Sequence, residues 1–237
     1  MKNKSFKKEY RKLIILLLAL VFLNYFFEIC YAAATCGVHM PVKNSIDFGI
    51  EHYSLRCYKT KDEIQAKLRG DGVFLTLSYG ILDWLVVDFK FGSCSVRNDI
   101  FEGNKYSYDA NWGGGYGFRW QIYKNKQGLK VITGIQHLSI HPKANNSDIK
   151  RSSIIDDSQA QLLVAKSWKN FELYTGIKST IGRYIRKFNQ TSHTVSLAEH
   201  ISSVVGLEYY INNNWHLNLE ARFLEEDSFS IGIRYQF

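Results

Sequence analysis

The sequence predicts an all-β protein: a transmembrane antiparallel up-and-down β-barrel of about ten strands, with eight the other count the pattern allows. Three observations predict it. The last ten residues, 228–237, alternate strictly, with Phe229, Ile231, Ile233, Tyr235 and Phe237 on one face and Ser228, Ser230, Gly232, Arg234 and Gln236 on the other. Successive strand side chains point to opposite faces, so this segment has one apolar and one polar side. Nine further segments repeat the pattern, with short and long connections in turn. A basic and then apolar N-terminus precedes them all.

That N-terminus reads as a cleavable signal peptide, 1–34. Lys2, Lys4, Lys7, Lys8, Arg11 and Lys12 lead into an apolar run from Leu13 to Phe27, and Ala32, Ala33 and Ala34 offer a cleavage site. The run is shorter than the ~20 residues a spanning helix needs. Cleavage removes those six bases with only Glu9 and Glu28, so the mature chain is far less basic than the +8 of the whole. No clustered basic face remains, and a nucleic-acid partner is not expected. Residues 35–43 then form a short periplasmic segment, and 44–237 the barrel domain. Cys36, Cys57 and Cys94 survive cleavage without any Cys-x-x-Cys spacing, so no metal or redox centre is predicted.

The predicted strands are 45–55, 72–81, 84–93, 106–123, 128–138, 159–167, 170–178, 200–211, 214–223 and 228–237. The fourth is the clearest, with Ala110, Trp112, Gly114, Tyr116, Phe118, Trp120 and Ile122 on one face. The ninth sets Trp215, Leu217, Leu219, Ala221 and Phe223 against His216, Asn218, Glu220 and Arg222. Tight turns join alternate pairs, and longer connections at 56–71, 94–105, 139–158 and 179–199 join the others, except the last, Leu224 to Asp227, which is short. Membrane barrels place periplasmic turns and outer loops in this way. Neither Pro41 nor Pro142 interrupts a strand. A soluble β-sandwich is the rival architecture. It is disfavoured because charge interrupts the apolar face of almost no strand.

Trp84, Trp120, Trp168 and Trp215 fall near the short turns and Trp112 eight residues before Trp120, an aromatic belt at the two edges of an apolar band. The opposite faces carry Asp47, Glu51, Asp88, Lys90, Asp109, Arg119, Lys130, Glu172, Lys178, Glu208, Glu220, Arg222 and Arg234. Both signs are present in a lumen too narrow for a water channel, so these groups are expected to pair and fill it. A narrow polar conduit is the competing reading.

Leader, amphipathic strands and the terminal Tyr235-Gln236-Phe237 resemble the small bacterial outer-membrane β-barrel proteins, the porin-like superfamily. The resemblance implies an outer-membrane location, with lipid and lipopolysaccharide as surroundings. It also implies that barrel-assembly machinery reads Tyr235 and Phe237 during biogenesis, and that the product is a monomer. It names no cofactor.

Three functions fit: a structural or narrow-pore surface protein, a lipid hydrolase, and an adhesin or ligand binder acting through the outer loops. The hydrolase rests on His137 and Ser139, which share a face at the predicted rim and resemble the His-x-Ser element of outer-membrane lipid A deacylases. Ile140-His141 follows where that family has Asn-Ala, so no catalytic residue is firm. Cys57 and Cys94, at the bases of the first two outer loops, are a candidate disulfide pair.

Overall fold

The computed structural model describes residues 37–59, 67–101, 104–144, 151–189, 191–196, 200–224 and 226–237. The segment that the sequence reads as a signal peptide, Cys36 and parts of the outer connections lie outside the described residues. Twelve strands follow in chain order: β1 (Ile46–Lys59), β2 (Lys67–Leu82), β3 (Leu85–Phe101), β4 (Asn104–Lys124), β5 (Leu129–Ile140), β6 (Lys143–Ala144), β7 (Arg151–Ser167), β8 (Phe171–Phe188), β9 (Thr191–Ser196), β10 (Ile201–Tyr210), β11 (Trp215–Phe223) and β12 (Glu226–Gln236). Ten of them close a ring, each antiparallel to its neighbours, and β1 pairs with β12 to seal it. β6 bridges β4 and β7, and β9 folds back along β8. A closed ring leaves no unpaired edge, which a sheet in lipid requires.

Alternation sets the two faces. Ile46, Phe48 and Ile50 of β1 and Val73, Leu75 and Leu77 of β2 point outward and are exposed. Asp47, Glu51, Thr76 and Ser78 between them are buried. Polar residues inside and apolar residues outside invert the pattern of a soluble sandwich core.

The turns that join β2 to β3, β4 to β5, β7 to β8 and β10 to β11 lie at the end that holds the β1 start and the C-terminus, where the Phe237 N–H donates to the Ile46 carbonyl at 2.9 Å. The strands run further toward the other end than the sequence predicts. β3 continues to Phe101, β7 begins at Arg151 and β8 reaches Phe188, absorbing much of three predicted loops. A strand needs ~9–11 residues to cross a bilayer, so these project beyond it.

Candidate functional site

The interior has two regions. Nearer the tight turns, charged side chains from facing strands pair. Asp88 grips Arg119 through both carboxylate oxygens at 2.6 and 2.8 Å. Lys90 meets Glu51 and Lys130 meets Glu172, each at 2.6 Å. Toward the far ends of β11 and β12, Arg222 bridges Glu220 at 2.7 Å and Glu226 at 3.0 Å, and Lys178 lies 3.2 Å from Glu226. Arg234 stands 3.6 Å from Glu51. Of the inward charges read from the sequence, Asp109 is the exception and is exposed on β4. Register shifts where β3 meets β4 turn Tyr108 inward in its place. Such a bulge breaks the period of two on which the inward assignment rested.

The segment before β1 enters this region instead of lying free in the periplasm. Val38 is wholly buried among Ile132, Leu163, Ala165, Tyr174 and Val204. The Val38 N–H donates to Glu208 Oε1 at 3.2 Å, and Arg119 donates to the carbonyls of Gly37 and His39 at 3.0 and 2.7 Å. Gly37 sits at a φ of 71°, and a Cβ there would lie 2.0 Å from Glu208 Oε1, so glycine is required twice over. The segment is an internal plug. Nothing in the alternating pattern announces it, because Gly37-Val-His-Met-Pro41 belongs to no strand.

Further out, the interior is apolar. Tyr53, Leu55, Leu68, Phe74, Cys94, Val96, Tyr108, Leu138, Ile140, Ile155 and Tyr184 form one cluster across the lumen. Arg222 completes the layer over the Tyr53 ring at 5.9 Å, and the Tyr53 hydroxyl donates to Glu226 at 3.4 Å. The fully buried pair of Asp99 and Arg186, 2.8 Å apart, adds to it from stretches read as loops.

A closed ring with an exposed apolar wall has one setting that satisfies it. The architecture is that of an outer-membrane β-barrel. No family model and no curated protein matches the sequence. Solved structures similar to it include Ail of Yersinia pestis, 10% identical, covering 83% of this chain and 100% of that one, with a TM-score of 0.43. The translocator domain of autotransporter NalP from Neisseria meningitidis is 10% identical over 84% of this chain and 90% of that one, with a TM-score of 0.46. An outer membrane channel from Pseudomonas putida F1 is 12% identical over 86% and 99%, with a TM-score of 0.45.

On the barrel's outer wall, Trp84, Trp168 and Trp215 are exposed beside the tight turns. Trp120 is opposite Leu85 near the same end, and exposed Trp112 is opposite Ser93 further out. Tyr235 makes edge contacts with Trp215 and Phe237 at 5.0 and 4.8 Å. The candidate disulfide does not form. Cys94 is a buried free thiol, and β2 separates its strand from that of Cys57, whose side chain lies outside the described residues. Two strand spacings are ~9–10 Å, beyond the ~7 Å limit between bridged Cα atoms.

His137 and Ser139 also face outward, at the far rim. The Ser139 hydroxyl and His141 Nε2 are hydrogen-bonded at 2.9 Å. His141 stacks on Trp112 at 3.8 Å between centroids. Asp156 stands 3.8 Å from His137 Nε2 and takes a 2.9 Å bond from Arg183. Burial, with Lys187 and Lys143 adding to it and Asp156 opposing, holds the His141 pKa below its ordinary value. His141 is therefore a neutral base at pH 7. The sequence marks His141 only as a departure from the deacylase motif, and the fold shows the Trp112 ring that desolvates it.

One group at the turn end was not read from the sequence at all. His39 of the plug, Asp47 of β1 and His216 of β11 bring a donor atom each to within 4.8 Å of one another.

Proposed function

We propose that the protein is a non-conducting outer-membrane barrel whose working surface is its outer rim. The observation that carries this is the apolar cluster spanning the lumen, with Leu68, Phe74, Tyr108 and Tyr184 at 2% exposure or less. Water and ions need an open polar path, and here the apolar side chains, with the paired charges of Arg222, Glu226, Asp99 and Arg186 packed against them, fill the section. The ion pairs beneath it fill space and hold the plug. Paired buried charges of both signs act as a core here, as they do in any barrel too narrow for a channel. Reconstitution in planar bilayers tests the reading. Purified protein is expected to add no discrete current steps; a reproducible single-channel conductance overturns it.

A second reading is favoured by the 2.9 Å contact between Ser139 and His141. It makes the rim an ester hydrolase acting on membrane lipid. Ser139 is the nucleophile, His141 takes its proton, and Arg183 with Lys187 attracts the lipid phosphate. Asp156 and His137 position the neighbouring strand ends. Substituting Ser139→Ala is expected to abolish the change that expression makes to lipid A acylation, read by mass spectrometry. Because His141 must be neutral to act and its pKa is depressed, activity is expected to persist below pH 6.5 and to fall only in more acidic medium. An identical acylation pattern with and without Ser139 removes this reading and leaves the first intact.

A further inference from the structure

We propose that His39, Asp47 and His216 form a binding site for a divalent transition metal, with Zn2+ the natural occupant. The site would pin the plug to the barrel wall. Asp47 Oδ2 lies 3.2 Å from His39 Nε2 and 3.8 Å from His216 Nε2. Ligands held at ~2.0–2.2 Å around a tetrahedral zinc stand roughly 3.4 Å apart. The observed separations bracket that spacing.

A second observation points the same way. Asp47 and His216 are 1% and 2% exposed. Both carboxylate oxygens of Asp47 and the Nε2 atoms of both histidines have no hydrogen-bond partner among the described residues. Buried polar atoms are almost always satisfied, and of these four, three, one from each residue, lie within 4.8 Å of one another. Of the cations that stand near, Arg119 is paired with Asp88, while Arg234 shares Glu51 with Lys90.

The surroundings also orient a ligand. His39 Nδ1 is 3.3 Å from the Tyr210 hydroxyl, which is in turn hydrogen-bonded to Glu172. The carboxylate accepts the phenol proton, so the phenol oxygen accepts the Nδ1–H. That fixes the tautomer with a lone pair on Nε2, facing Asp47. Metal-bound histidines are held by an outer partner in this way. Two imidazoles and one carboxylate suit zinc and other borderline ions and not Ca2+ or Mg2+, which prefer oxygen. Three protein ligands leave a fourth position for water.

His39 comes from the plug while Asp47 and His216 belong to strands, so bound metal ties the two together. The proposal rests on this geometry and not on the lumen being closed. A barrel that conducts ions and binds zinc keeps it.

The test uses the folded full-length protein in detergent, stripped with chelator, dialysed and titrated with Zn2+. One equivalent is expected to bind, and to be displaced by protons in acid because the histidines must be neutral. His39→Ala lies outside the strands and should leave the barrel's circular dichroism unchanged. It is expected to weaken binding by more than about 10-fold, since even outer partners of a metal ligand cost that much. His216→Ala should match it. Zinc should also slow proteolysis of the plug in the wild type and not in His39→Ala. Failure of the wild type to retain stoichiometric zinc, or wild-type affinity in either variant, overturns the proposal.

Discussion

At the scale of single residues, Arg119 does the most. It is wholly buried, holds Asp88 with two hydrogen bonds and donates from Nη1 to the plug carbonyls of Gly37 and His39. Removing one member of a buried pair strands the other, at about 3–5 kcal/mol. Arg119→Ala is therefore expected to destabilise the barrel by that amount in urea titrations monitored by tryptophan fluorescence. The double change Arg119→Met with Asp88→Leu removes both charges at similar volume, and buried pairs replaced so often lose nothing. Here recovery is expected to be incomplete, because two plug carbonyls still lose charged donors. A double variant as stable as the wild type would show that Arg119 does not hold the plug. The charge of Arg119 was legible in the sequence as an inward residue; its second pair of partners was not, since the plug has no periodicity to read.

At the scale of elements, the ten barrel strands were legible wherever the outer face meets lipid. There each outward position must be apolar, and the alternation in β2, β11 and β12 follows directly. Their far ends were not legible, for a physical reason. Beyond the bilayer the outward face is free to be polar, so β7 carries Asp156 and Ser158 outside and Asp157 inside, and the contrast vanishes while backbone pairing with β8 continues. The Asp99–Arg186 pair was lost to the same cause, because each residue sits in a stretch that reads as loop. At the rim the sequence placed His137 and Ser139 correctly on one strand face. The bond between Ser139 and His141 depends on a turn out of β5 that stacks His141 on Trp112, and no spacing rule contains it. The bulge that expels Asp109 is a similar event: one shift in register reverses every assignment beyond it.

At the scale of the whole molecule, the lumen carries two closures in series, the plug at the turn end and the apolar cluster beyond it. They differ in chemistry. The plug is held by Arg119, Glu208 and backbone hydrogen bonds, and polar solvent can compete for those contacts. The cluster excludes water chiefly by apolar area, and its aromatic rings bury roughly 150–250 Å2 each. On the proposed non-conducting reading either one suffices to stop ions, because the resistance of a path is set by its tightest segment. Deleting 37–43 is thus expected to leave bilayers silent. So is shrinking the cluster with Phe74→Ala, Tyr108→Ala and Tyr184→Ala while the plug remains. Combining the two sets opens both constrictions, and single-channel currents are expected only then, in protein whose circular dichroism still reports a β-barrel. Current from the deletion alone would make the plug the sole gate and the outer cluster permeable. Silence from the combined variant would mean that the ion pairs of Glu51, Lys90, Lys178, Arg222 and Glu226 close the passage without either. The dependence on both changes together is what separates two independent closures from one.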